Sequence, residues 1–224
     1  MTPFRRALFA LLIGSLAIGA AEPPARPEGW YAEVETTLGS FTFRLLPEQA
    51  PQSVADFAAF ATGQMEFVDP YTGNKKKAPF YDGLAIHRIK FAQRFEAGDP
   101  TGTGHGMPLV WVPAESGPVN FSRPYRVGMT AASLKRISGV LFFATIVAEP
   151  YFNAGHNCFG EIVEGRDVVD KICNVKIDDN GVPLEPVVIK HVKIVKSGEP
   201  KPLPAPVPYD PPVPTMGLSP AANP

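Results

Sequence analysis

Phe80-Tyr81-Asp82-Gly83-Leu84-Ala85-Ile86-His87-Arg88-Ile89-Lys90-Phe91-Ala92-Gln93-Arg94-Phe95-Glu96-Ala97-Gly98-Asp99-Pro100-Thr101-Gly102-Thr103-Gly104-His105-Gly106 is the stretch around which this chain is organised. Asp82-Gly83 is a turn signal, and the mixed apolar and polar segment after it carries an isolated His-Arg pair. Four glycines fall among the last nine residues, too many for a helix. A cation beside a strand, followed by a glycine loop, points to a site on a β scaffold. Taken alone, the stretch fits a phosphate loop, a metal site or a substrate groove.

The flanking segments narrow the choice. Tyr31, Glu33 and Glu35 alternate with Ala32 and Val34. Leu38-Gly39-Ser40 turns, and Phe41, Phe43 and Leu45 alternate with Thr42 and Arg44, which predicts a hairpin. Pro51 opens a helix with Val54, Phe57, Ala58 and Ala61 on one face, and Gly63 stands beyond its end. Residues 64–79 are expected as a polar loop, with Lys75-Lys76-Lys77 solvated. Leu109 to Val112, Val127 to Ala132, Val140 to Val147 and Asn157 to Val163 have the character of strands. Gly165 precedes a second helix with Val168, Val169 and Ile172 on one face, and Val187 to Val195 is a final strand. Short strands, glycine turns and two helices predict a mainly β fold: a closed antiparallel barrel capped by helices.

At 224 residues, with 45% hydrophobic residues and a formal net charge of -1, the chain suits one sizeable domain with appendages. That charge balance argues against nucleic-acid binding, which needs a basic face. Residues 1–21 have the form of a signal peptide: Arg5 and Arg6, an apolar run from Ala7 to Ile18, then Gly19-Ala20-Ala21. The run is too short to span a bilayer, which takes about 20 residues. A periplasmic or secreted protein without stable membrane insertion is therefore expected. Residues 22–29 are a linker, 30–197 the folded domain, and 198–224 a disordered proline-rich tail, with ten prolines in the last 25 residues. Cys158 and Cys173 make neither a disulfide framework nor a zinc site; one bridge and two buried free thiols both fit.

Three blocks together resemble the cyclophilin-type peptidyl-prolyl cis-trans isomerases, in a divergent, exported form. They are Leu45 to Pro51 with the helix after it; Pro79 to Leu84 through Ile86-His87-Arg88 to Gly104; and Leu141-Phe142-Phe143 through Asn153-Ala154-Gly155-His156 to Phe159-Gly160 and Val163-Glu164-Gly165. The resemblance covers roughly residues 31–197. It implies an eight-stranded antiparallel barrel capped by two helices, isomerisation of X-Pro bonds in proline-containing polypeptides, a monomer, and neither cofactor nor metal.

By the same resemblance Arg88 is the catalytic arginine, with His87 beside the pocket, Phe143 its floor, and Phe152, His156 and the aromatic Tyr151 around it. Gln93 and Arg94 stand where the family has an apolar pair. Glu96 replaces a glutamine that bonds the arginine, and Leu141 a glutamine that bonds substrate. A carboxylate at Glu96 is expected to pair with Arg88 and offset its charge. A non-catalytic peptide-binding module is the competing expectation. A phosphate cradle at Gly98–Gly106 lacks the P-loop lysine and the following helix. A metal site at His87, His105 and His156 lacks an acidic partner.

Overall fold

In the first hairpin the alternation foreseen in the sequence decides which side chains turn inward. Strand β1 (Gly29–Thr36) pairs antiparallel with β2 (Gly39–Leu45), from Tyr31 opposite Arg44 to Thr36 opposite Gly39. Ala32, Val34, Phe41, Phe43 and Leu45 are buried. The computed structural model describes residues 26–104, 106, 110–133 and 136–208; the expected signal peptide, His105 and the tail beyond residue 208 lie outside these.

Helix α1 (Pro51–Ala61) follows, with proline in its first turn. Its N-cap residue, Ala50, supplies no side-chain bond. The carboxylate of Glu115, distant in sequence, accepts the exposed N–H groups of Gln52 at 2.7 Å and Ser53 at 3.0 Å instead. Phe57 projects from this helix into the centre of the core, with ring centroids 5.5 Å from Phe43, 5.6 Å from Phe142 and 5.3 Å from Phe159.

The remaining strands are β3 (Phe67–Val68), β4 (Lys75–Lys76), β5 (Arg88–Lys90), β6 (Arg94–Ala97), β7 (Trp111–Val112), β8 (Arg126–Ser133), β9 (Arg136–Thr145), β10 (Asn157–Glu164) and β11 (Ile189–Ser197). Eight of them form one antiparallel path, β11-β1-β2-β10-β8-β9-β6-β5, with β7 added beside β9. Irregular register in the pairs β10–β2, β10–β8 and β8–β9 sharpens the curl of the sheet. Helix α2 (Arg166–Cys173) starts after Gly165, whose φ of +69° is left-handed. A Cβ there would lie 2.4 Å from the Ser40 carbonyl oxygen, so only glycine fits. Val169, Ile172 and Cys173 are the buried residues of α2.

The eight-stranded, two-helix architecture is as expected, but "closed" overstates it. The two ends of the path meet through the isolated bridge Ala85–Val188, with Ile86 N–H donating to Val187 O and Ile189 N–H to Leu84 O. β5 has only three residues, and a turn engages its backbone where Ile89 N–H donates to Gly181 O at 2.7 Å. A continuous ladder between β5 and β11 is therefore not made.

Two further expectations are corrected. Residues 64–79 contain the small β3–β4 hairpin, and Lys75 and Lys76 pair with Glu66 and Asp69. The proline-rich segment does not leave the domain at residue 198. Trp30 Nε1 donates to Lys201 O at 2.8 Å, Val207 N–H donates to Asp56 Oδ1 at 2.8 Å, and Leu203 and Val207 pack on the core. Proline cannot join a ladder, yet its neighbours still offer backbone groups and apolar side chains to α1. Cys158 and Cys173 are free and buried in different apolar clusters.

Candidate active site

The site is built on the β5–β6 hairpin. Arg88 faces Glu96, Ile89 faces Phe95, and Lys90 faces Arg94. Alternation turns Ile89, Phe95 and Ala97 into the core and leaves Arg88, Arg94 and Glu96 on the other face. Gln93 lies in the turn, its N–H bonded to Lys90 O and its carbonyl to Ile146 N–H. Phe95 meets Phe41 and Phe142 in the main core, so no shift of register brings it into the pocket.

The next strand extends the face. Glu96 lies opposite Phe143 on β9, and Phe143 lies opposite Gly128 on β8, which makes a four-strand row of Arg88, Glu96, Phe143 and Gly128. A Cβ at Gly128 would lie 2.5 Å from both Phe121 and Phe143, so the missing side chain is what lets these two rings approach to 5.3 Å. A short 3-10 helix, Pro150–Ala154, brings Tyr151 and Phe152 to the same place. It is tied down by Glu149 N–H donating to Phe121 O and by Phe121 N–H donating to Asn153 Oδ1, both at 2.8 Å.

The expected pocket positions Phe143, Phe152 and His156 thus converge. Ring centroids are 4.7 Å apart for Phe143 and Phe152, and 4.4 Å for Phe152 and His156. Tyr151 stacks on Phe152 at 4.2 Å and is otherwise exposed. Phe143 is only 2% exposed and Phe152 7%, so these rings largely fill the space between them. Burial lowers the His156 pKa below 6.5, partly offset by the Phe152 backbone carbonyl, which leaves the ring neutral near pH 7.

Arg94 lies over this cluster, its guanidinium carbon 4.9 Å from the Phe152 ring centroid. Its Nε donates to Glu96 Oε1 at 3.0 Å, and one Nη1 donates to Glu149 Oε1 at 2.8 Å and to the Tyr151 hydroxyl at 3.1 Å. Burial would lower its pKa, but Glu149 and Glu96 outweigh that and raise it. The expected Glu96–Arg88 pair is therefore not formed. Arg88 is exposed and has no ion pair or side-chain hydrogen bond among the described residues.

Leu141, two residues before Phe143 on β9, is half-buried and packs against the main core. His87, 6% exposed, turns to the face opposite Arg88 and sits beneath the glycine loop near Asp99. That loop is no phosphate cradle. The N–H groups of Thr101, Gly104 and Gly106 donate to the Asp99 carboxylate at 2.8, 2.7 and 3.0 Å, so the anion they bind is internal. Burial raises the Asp99 pKa, but bonds from Thr101 and Gly106, with His87 nearby, bring it below its usual range. No group of three metal-ligating side chains occurs among the described residues.

Glu149, Phe121 and Gly128 belong to the site although sequence reasoning passed over them. Glu149 stands 55 residues from the arginine it holds, and Phe121 sits in a segment without periodicity. Only the small residue facing Phe143 in a strand carried a readable signal.

Residues 31–194 match the family described as cyclophilin type peptidyl-prolyl cis-trans isomerase/CLD. Peptidyl-prolyl cis-trans isomerase B of Streptomyces anulatus is 37% identical over 174 residues, covering 75% of this chain and 97% of that protein. Peptidyl-prolyl cis-trans isomerase A of Mycobacterium tuberculosis is 34% identical over 166 residues, covering 73% and 91%. Among solved structures, a cyclophilin type isomerase of Cryptosporidium parvum, determined in the presence of the dipeptide Ala-Pro, superposes with a TM-score of 0.63 at 23% identity, covering 75% of this chain and 99% of that one.

Proposed function

The chain belongs to the cyclophilin-type peptidyl-prolyl cis-trans isomerases, and from that premise we propose that it isomerises X-Pro bonds of exported polypeptides and so assists their folding. The barrier to be lowered is about 20 kcal/mol, set by amide resonance. As the bond twists, the proline nitrogen loses that resonance and becomes basic. A guanidinium can donate to it, or to the neighbouring carbonyl, at every physiological pH. Arg88 is that group. Without an ion pair or side-chain hydrogen bond among the described residues, it ends a row leading to Phe143, Phe152 and His156, and this observation carries the reading. The aromatic rings supply the apolar surface for the proline. Catalysis then follows from binding the twisted amide better than either planar form.

The signal-like residues 1–21 support a periplasmic or secreted protein. Exchange between isomers of an Ala-Pro peptide, measured by NMR, tests the activity. The wild type accelerates exchange and Arg88→Ala reduces kcat/KM by about 100-fold. Equal exchange with both proteins would defeat the proposal.

A second reading is favoured by Arg94 over Phe152 and by the near-complete burial of Phe143. A pocket so covered suits a module that reads peptides at its rim without turning them over. Saturable binding of the same peptide without exchange would select this reading.

A further inference from the structure

We infer that Arg94 is a positioning residue that draws the Glu96 carboxylate away from Arg88 and so leaves the Arg88 guanidinium free. The inference rests on the isomerase reading only for its consequence in catalysis. Its basis is geometric. Arg88 and Glu96 are directly opposed across an antiparallel pair. In such pairs Cβ atoms lie about 5 Å apart, and opposite charges ordinarily join. Here they do not, because Glu96 has a second cation on its own strand, two residues away on the same face.

Arg94 is held in that role from three sides. Its Nε donates to Glu96 at 3.0 Å, Nη1 to Glu149 at 2.8 Å, and its guanidinium plane lies over Phe152. The side chains of Arg94 and Glu149 are 12% and 3% exposed, so this cation is far less free to move than the exposed Arg88. Glu149 fixes Arg94, Arg94 takes Glu96, and Arg88 keeps its full charge for a twisted amide. The polar substitutions at positions 94 and 96 then act as a compensated pair: an acid beside the catalytic arginine, and a second arginine to hold that acid off.

Removing Arg94 should let Glu96 turn to Arg88. Arg94→Gln is expected to lower kcat/KM about tenfold, mainly through kcat, and Arg94→Gln/Glu96→Gln to recover it to within about threefold of wild type. Loss of Arg94 also strands the buried Glu149 carboxylate, which threatens folding. Both variants are therefore also made with Glu149→Gln, which removes that charge. Arg94→Lys retains a cation for Glu96 and should retain most of the activity.

A second readout needs no catalysis. Exchange of the Arg88 Nε–H with water, followed by 15N NMR, should be fast in wild type, slower in Arg94→Gln and fast again once Glu96→Gln is added. Unchanged Arg88 exchange in Arg94→Gln overturns the inference, as does a double variant no more active than Arg94→Gln alone. If the wild type accelerates no exchange between peptide isomers, the isomerase reading fails, and the Nε–H measurement still decides the role of Arg94.

Discussion

Ala92, in the turn between β5 and β6, has a φ of +54°, one of two non-glycine residues in the left-handed region among those described. A Cβ costs about 1–2 kcal/mol there, while glycine brings an entropic penalty of about 0.5–1 kcal/mol. The Ala92 N–H donates to Cys173 O at 3.0 Å, so the conformation is fixed by the end of α2. Ala92→Gly should therefore stabilise the protein by up to about 1 kcal/mol, and Ala92→Val should destabilise it by at least as much, both read from urea unfolding. Lower stability of the glycine variant would refute the strain. At this scale the sequence was a partial guide. The alternation Arg88-Ile89-Lys90 and Arg94-Phe95-Glu96 told which side chains share a face. It did not tell which of two arginines Glu96 would choose, because that depends on Glu149, which only the fold brings near.

Elements were the most legible scale, because hydrophobic period and turn chemistry act locally. The β1–β2 hairpin, α1 after Pro51 and α2 after Gly165 stand where their patterns put them. The proline-rich segment departs from its pattern, since composition excludes it from a core but not from lying across one. Its contact with α1 has a measurable signature. Asp56 is buried and accepts Val207 N–H and Gln52 Nε2 on one oxygen, while the other has no hydrogen-bond partner among the described residues. Burial raises its pKa from 3.8 to about 6, opposed by the bonds from Val207 and Gln52. The unfolded carboxyl loses its proton near 3.8, the folded one near 6, so folding takes up a proton between these values. The associated stability is fully present below pH 3.8, falls as pH rises through the window, and is gone above pH 6. Urea unfolding from pH 4 to 7 should show this decline, by about 1–3 kcal/mol, and Asp56→Asn should flatten it. An equally steep profile in the variant would show that other groups carry the slope.

Across the whole molecule the aromatic interior divides into a main core around Phe57 and a smaller cluster of Phe121, Phe143, Phe152 and Cys158 beneath the site. This division also settles the two cysteines, whose pairing sequence spacing left open. Cys173 belongs to the main core and Cys158 to the site cluster, each among apolar side chains and each free. Burial pushes both thiols up to about 12, so neither supplies thiolate at neutral pH. Here the fold rather than a bridge shields both thiols from oxidants. Labelling with a thiol reagent at pH 8 should accordingly proceed at least about 100-fold more slowly than in urea, and only as fast as the buried segments open. Cys158, 5% exposed in the smaller cluster, should react before the fully buried Cys173. Reductant should leave the Tm unchanged, because no disulfide contributes to it. A Tm that falls on reduction would mean that the two clusters come close enough to be bridged, contrary to this division of the core.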